Sequence, residues 1–494
     1  MSHDLSDSVA DPVAATGIGD QRQDQRQGWL ALTENGNGRR LGWAALSWNT
    51  TTTAATLVQL FIGALVTYVT SFTIALCAGV LVTVVGAALG WALGHVACRS
   101  GLSSTVLFRH FAFGQKGSLV AILIFGYMII GFLGLTNALL YYGFLFAFGL
   151  RDTLANALLL HGAMTLAWIL LAGFAFRLTS LFATTTLILY LLTIGGVTAI
   201  ALWAIFHSDT GLFFAGSRFA GDTLPLVPLT GNTDKFIFCA NLLMAPAGAL
   251  ALTFADIGHS ARRSRDIAIS AVVSNVFINI ILVAAGGFIL HAAAPALVDF
   301  HITSGLPLAA APNGLNSGPH NIVPAFVVLG GIFSGFLLLA TQIRTQMLNT
   351  GCAAMFLSSL FEIFPFLRWR PGWPMLVILA NALGVFAVSV RVLEQTVLWA
   401  TILGVQTAVF AMIIITDYYI IRRLAQHCNT DTRQPPESFN WAGVVTAILG
   451  AILSHHALPT LFPLQFLTAM AVCLILYPAL RLTIAKPAST AKAA

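Results

Sequence analysis

The chain has 494 residues, of which 57% are hydrophobic and only 9% charged, and its mean hydropathy is +0.86. No soluble core of this length requires so much apolar surface, so the composition describes a polytopic membrane protein and excludes an ordinary soluble domain. The net charge of +6 and the pI near 9.1 give nucleic-acid binding no support, because cytoplasmic loops of membrane proteins retain Lys and Arg.

Residues 1–40 mix Asp4, Asp7, Asp11, Asp20, Arg22, Asp24 and Arg26 with Gln, Ser and Gly, which predicts a disordered cytoplasmic tail. They lack the apolar core and cleavage site of a signal peptide, so the first membrane helix is expected to direct insertion. Twelve apolar stretches follow between Leu41 and Ile484, each fitting about 20 residues per crossing. Helix 1 is predicted over Leu41–Val66 and helix 2 over Phe72–His95. An aromatic, amphipathic link, Arg99–Gly117, is expected to lie on the cytoplasmic bilayer face. Helices 3 (Ser118–Phe148), 4 (Leu154–Phe174) and 5 (Leu181–Phe206) complete a first group, 41–206, and an outer loop spans 207–234.

A second group, 235–421, holds helix 6 (Lys235–Ala255), helix 7 (Ile267–Leu290), a long helix 8 (Pro324 to beyond Ala354), helix 9 (Trp373–Val390) and helix 10 (Gln395–Ile421). A Pro/Gly/His-rich outer loop, His291–Asn321, separates helices 7 and 8. A cytoplasmic loop, 422–439, leads to helices 11 (Asn440–Leu458) and 12 (Leu464–Ile484) and a cytoplasmic tail, 485–494. With the N-terminus inside, 19 of the 24 Lys and Arg residues fall on the cytoplasmic side. Arg151, Arg218, Lys235 and Arg391 fall outside, and Arg344 lies within a membrane segment. The expected location is the cell (inner or plasma) membrane, with both termini cytoplasmic and the chain a monomer. The six cysteines, Cys428 among them, are scattered and read as structural thiols rather than disulfides or a metal cluster.

The polar run Asn49-Thr50-Thr51-Thr52-Thr53 stands inside the apolar segment of helix 1. Threonine hydroxyls can take over carbonyls that a broken helix leaves free, and irregular backbone at membrane depth survives only beside protein or a water-filled cavity. Helix 6 carries Met244-Ala245-Pro246-Ala247-Gly248 at its middle, where Pro removes a hydrogen bond and Gly loosens the backbone. A simple kink of a lipid-facing helix is the alternative reading of Pro246. Helices 1 and 6 are corresponding members of two five-helix groups of opposite topology, and paired interruptions mark a transporter's binding site.

Several stretches carry a family resemblance: Gly101-Leu102-Ser103-Ser104 through Arg109 to Phe113-Gly114-Gln115-Lys116-Gly117-Ser118, Phe254-Ala255-Asp256, Asp417-Tyr418-Tyr419 with Arg422-Arg423, and Asn440-Trp441. Together they make the chain resemble the nucleobase:cation symporter-1 family, in particular the purine and cytosine permeases, from about Gly42 to Arg481. The resemblance implies the leucine-transporter-type fold: twelve transmembrane helices, a 5+5 inverted repeat, and broken helices 1 and 6. It also implies a site between helices 1, 3, 6 and 8. The lining residues would be Asn49, Thr52 and Thr53, then Tyr127, Met128, Gly131 and Phe132, then Ala247 and Gly248, and on helix 8 Thr341 and Gln342.

Gln342 is the expected substrate reader, because a carboxamide offers a donor and an acceptor side by side to the edge of a base or lactam. An interhelical hydrogen bond is the other use of that group, and a one-residue slip of register exchanges it with Thr341 or Ile343. Cytosine permeases carry a Gln and a Trp on helix 3 where this chain has Met128 and Gly131, and Ala247 replaces an aromatic residue on helix 6. Lost stacking of that kind is worth about 1–3 kcal/mol per base in nucleic-acid sites, although Phe132 or Tyr127 could stack from another angle. The ligand is therefore open among bases, larger purines and non-planar relatives.

Relatives commonly couple to sodium, and the resemblance places it on carbonyls of Asn49 and Thr52 and the hydroxyl of Thr341. Arg344, one turn on, would repel that ion, pair with an anionic ligand or snorkel to the interface. Asp256, Glu362 and Asp417 fall near cytoplasmic helix ends where charges meet water, and His161, His455 and His456 are peripheral, so no mid-membrane proton carrier stands out and sodium is favoured over protons. A membrane enzyme would need Ser/His or His/Asp clusters at membrane depth, which the sequence does not offer. The expected function is cation-coupled import of a nucleobase or related heterocycle by alternating access. The alternative is a same-fold carrier of an amino acid, amine or vitamin-like heterocycle.

Overall fold

Apolar runs of membrane-spanning length become helices wherever the sequence supplies caps and no competing polar backbone partner. The structure, a computed structural model, describes residues 40–102, 104–174, 181–207, 214, 223–224, 227–303, 318–363, 371–422 and 436–484. The expected tails (all but residue 40 of 1–40, and 485–494) lie outside the described residues, as do much of the 207–234 loop, Cys428 and most of the 422–439 loop.

Among the described residues, nine helices are long and apolar enough to cross a membrane and one bent pair makes a further span, while two shorter apolar helices, Trp373–Ser389 and Trp441–Ala457, stand where helices 9 and 11 are expected. The bent pair is helix 1, divided into 1a (Trp43–Ala54) and 1b (Leu57–Val69), which meet at 72°. Helix 2 runs over Phe72–Ser100 between the Ser71 cap, whose hydroxyl accepts the Ile74 amide, and left-handed Gly101. Helices 3 to 5 span Leu119–Phe148, Leu154–Phe174 and Ala183–Phe206. A two-residue hairpin, Thr223–Leu224 against Val227–Pro228, lies before helix 6.

Helix 7 begins at Ser264 and continues through a wide turn, Phe277–Ile281, to Thr303. Its outer end was expected to be loop from His291. The helix persists through Pro295 because Ala293, Ala294 and Leu297 are buried there and packing outweighs the proline. Helix 8 spans Ile322–Ile363 and is kinked at Gly331, whose φ of 72° and ψ of 173° are not helical. Helix 9 is Trp373–Ser389, helix 10 runs over Thr396–Thr416 and on to Ile421, helix 11 starts at Trp441 and helix 12 covers Gln465–Ile484.

Helices 1, 2, 6 and 7 pack together, with helix 2 against both 6 and 7, while helix 3 packs on 8 and 9 and helix 4 on the same two. Helix 5 bridges the two groups through 7 and 8, and helix 10 backs helix 6 and carries helices 11 and 12. The start of helix 1a is pinned to the turn between helices 6 and 7, where Leu41 donates to Ser260 O at 2.8 Å and Arg262 donates to Leu41 O at 2.9 Å.

The link after helix 2 corrects one expectation. Phe108, Phe111 and Phe113 are buried, and their rings meet Phe410 and Tyr418 rather than the bilayer face. The amides of Gln115 and Lys116 donate to Glu437 O and Ser438 O, both at 2.8 Å. Gly114 is required there, because its φ is +75° and a Cβ would come within 2.8 Å of Glu437 O. Asp417 is likewise buried rather than wet: Arg422 Nε donates to it at 3.0 Å and the Tyr477 hydroxyl at 2.8 Å. Asn440, the cap of helix 11, donates to Ala112 O at 2.7 Å and so fixes the link to helices 11 and 12.

Candidate functional site

The break in helix 1 falls after the threonine run, not within it. Thr50, Thr52 and Thr53 are helical, and their hydroxyls donate back to the carbonyls of Leu46, Trp48 and Asn49 at 2.9, 2.6 and 3.0 Å. Such back-bonding holds a helix while loosening its ladder. The chain turns at Ala55 and Thr56, where Thr56 is extended and its hydroxyl accepts the Gln59 amide at 3.4 Å. The local signal was present, since Thr56-Leu57-Val58-Gln59 has the spacing of a capping box.

The turn strips normal partners from both half-helices. Ala55 donates to Thr51 O, but Thr56 turns to Ala54 O at 2.9 Å and so does not serve Thr52 O. The Leu57 amide, which would serve Thr53 O in an unbroken helix, donates to Gln342 Oε1 at 3.0 Å. Arg344 Nη1 donates to Thr52 O at 3.3 Å, and the Tyr190 hydroxyl of helix 5 donates to Thr56 O at 2.8 Å. Helix 8 thus supplies an acceptor to the start of 1b and a charged donor to the end of 1a. Sequence reasoning missed Tyr190, an apolar-segment tyrosine whose partner is 134 residues away.

Of the expected lining, Thr52 and Gln342 both stand at the bend, Thr52 through its carbonyl to Arg344 and Gln342 through its carboxamide to the Leu57 amide. Gln342 is fully buried and its Nε2 donates to Thr341 Oγ1 at 3.0 Å, while Thr341 Oγ1 donates to Leu338 O at 2.6 Å. Asn49 is half-buried with its carbonyl taken by Thr53, and the Thr53 side chain is exposed. The three oxygens expected to hold sodium therefore already have protein donors or acceptors: Asn49 O, Thr52 O and Thr341 Oγ1.

The helix 3 residues form a second cluster around a side chain the sequence did not single out. Trp399 of helix 10 lies over Gly131, where an ideal Cβ would come within 2.0 Å of the indole Nε1. Phe132 meets the indole edge to face at 5.1 Å, and the indole N–H donates to Tyr127 O at 3.4 Å. Met128 is buried beside them in the core. An aromatic plate is thus present at Gly131, contributed from helix 10 across the bundle.

Helix 6 is not broken, which corrects the expectation for Pro246. It runs as one α-helix over Asn232–Ile257 with Pro246 inside. Neighbours clamp it at this turn: a Cβ on Gly404 of helix 10 would meet Ala245 N at 3.2 Å and Asn241 O at 3.3 Å. Gly248 faces Thr407 of helix 10, and Ala247 faces Gly86 of helix 2. Both residues pack helix against helix, and a single lost hydrogen bond is tolerated under such packing.

Next to the bend, Gln346 Nε2 donates to Asn137 Oδ1 at 2.7 Å, and Trp168 Nε1 donates to the same oxygen at 2.9 Å, joining helices 8, 3 and 4. A small, open apolar cleft between helices 3 and 8 is lined by residues such as Phe144, Val323 and Phe336, and by none of the expected site residues. Among the described residues no group of three or more His, Cys, Asp or Glu could hold a metal ion.

No protein-family model matches the chain, and no curated protein does. Solved structures do. The inward-facing conformation of Mhp1 is 16% identical with a TM-score of 0.63, covering 91% of this chain and 94% of that one. A closed conformation of Mhp1, a nucleobase-cation-symport-1 family transporter with bromovinylhydantoin bound, is 20% identical with a TM-score of 0.59, covering 91% and 96%. The substrate-bound, outward-open state of a Na+-coupled sialic acid symporter is 14% identical with a TM-score of 0.55, covering 96% and 98%. The chain has the fold of these transporters, the leucine-transporter type expected from its sequence.

Proposed function

We propose that this chain is a secondary transporter that imports a nucleobase or related heterocycle across the cell membrane by alternating access, with 41–206 and 235–421 as its two inverted repeats. The observation that carries the reading is the bent helix 1, whose half-helix ends meet helix 8 side chains inside a fold shared with small-molecule symporters. The sequence motifs of the nucleobase:cation symporter-1 family support the substrate class, and so does the family named for one neighbour. Coupling of the import to a cation has its support in the Na+-coupled neighbour.

Uptake by proteoliposomes tests the reading. A panel of labelled cytosine, uracil, adenine, hypoxanthine, allantoin and hydantoin is expected to show accumulation of at least one heterocycle. Accumulation of an amino acid or amine with no heterocycle sinks the substrate class and leaves a same-fold carrier.

A further inference from the structure

The bend in helix 1 creates a demand for positive charge. The C-terminal carbonyls of a half-helix carry the negative end of its dipole, and Thr52 O has lost its backbone donor to the turn at Thr56. In carriers built this way, a bound alkali cation ordinarily meets such carbonyls. Here the Arg344 guanidinium meets Thr52 O at 3.3 Å, from a side chain that is only 9% exposed. The hydroxyl that would complete an ion's shell, Thr341 Oγ1, is drawn into helix 8 through Leu338 O and Gln342 Nε2.

We infer that Arg344 is a tethered cation, standing at the end of helix 1a in the place of a coupling sodium, so that binding and transport by this chain do not require sodium. The inference rests on reading the chain as an alternating-access carrier and changes only its ion. A charge on a side chain cannot be released to the cytoplasm with the substrate, so it stabilises the bend without storing a sodium gradient. Like-charge repulsion at this distance also excludes a second cation from Thr52 O.

The bend connects the position of Arg344 to the rest of the site. Gln342 and Arg344 are two residues apart on helix 8, and they hold opposite sides of the break, the Leu57 amide and the Thr52 carbonyl. The guanidinium therefore does locally what an ion does in a broken helix: it joins 1a to helix 8 while 1b is joined separately.

Sodium binding can be read without knowing the substrate. Thermal unfolding of the detergent-purified full chain is followed in sodium chloride and in equal choline chloride, with radioactive sodium binding as a second readout. Wild type and Arg344→Lys are expected to show no sodium-specific rise in Tm and no saturable sodium binding. Arg344→Ala and Arg344→Asn, with the place vacated, are expected to gain a sodium-specific rise. Saturable sodium binding or stabilisation of wild type overturns the inference, and so do folded Arg344→Ala and Arg344→Asn proteins that remain blind to sodium. If neither variant folds, the wild-type measurement alone decides. A sodium-blind wild type that accumulates no heterocycle refutes the proposed substrate class only, whereas a sodium-binding wild type that accumulates one refutes only the role of Arg344.

Discussion

The carboxamide oxygen of Gln342 accepts the amide of Leu57 at 3.0 Å, and this bond joins helix 8 to the first residue of helix 1b. It crosses 285 residues of chain, and both partners are fully buried. Gln342→Ala leaves the Leu57 N–H without its acceptor, which costs about 1–3 kcal/mol. Chemical unfolding in detergent is expected to show that loss, and transport is expected to fall with it. Unchanged stability would remove this bond from what holds the bend.

Gly131 and Trp399 form the next test. Gly131→Ala drives a methyl into the indole, and overpacking of a filled core costs about 1–3 kcal/mol. Trp399→Ala in the same chain removes the ring that the methyl meets, so the double variant is expected to be more stable than the sum of the two single changes. A purely additive cycle would show that the two residues do not press on one another.

Helices 10 and 12 meet at Asp417, where the Tyr477 hydroxyl donates to its carboxylate. Asp417→Asn removes the charge paired with Arg422 while leaving an oxygen that can still accept from it, and breaking a buried pair costs about 3–5 kcal/mol. The low end applies, because Arg422 keeps the His110 carbonyl at 3.0 Å and the Phe111 ring at 4.1 Å. Tyr477→Phe removes one hydrogen bond and is expected to cost about 1 kcal/mol. Thermal unfolding should rank the two in that order; equal effects would show that the ion pair adds nothing.

Gly331 sets the kink of helix 8. A Cβ there would touch nothing within 4 Å, so Gly331→Ala isolates the backbone cost of φ 72°. About 1–3 kcal/mol of destabilisation is expected, read by chemical unfolding. A neutral substitution would mean that the kink relaxes without loss.

Much of the architecture is legible in hydropathy and caps, because membrane helices must satisfy their backbone internally and so declare themselves by length. Asn440 capping helix 11 and Gly101 closing helix 2 are local events, decided within a few residues. The buried link at Phe108 to Phe113 was misplaced because aromatic, amphipathic character fits the bilayer face and a protein groove equally well. Pro246 misled for a related reason: a proline weakens its own turn, but neighbours at Gly404, Thr407 and Gly86 determine whether the helix opens.

The sequence alone determined a helical membrane bundle, the bend somewhere in helix 1 and the presence of an arginine within the apolar run of helix 8. Those follow from the cost of polar groups in hydrocarbon, which every segment meets on its own. Only the tertiary structure decided that the break lies at Ala55 and Thr56, that Gln342 and Arg344 take its two sides, and that Trp399 covers Gly131. Each of these joins residues far apart in the chain, so the partner is set by helix packing and leaves no periodicity or spacing to read.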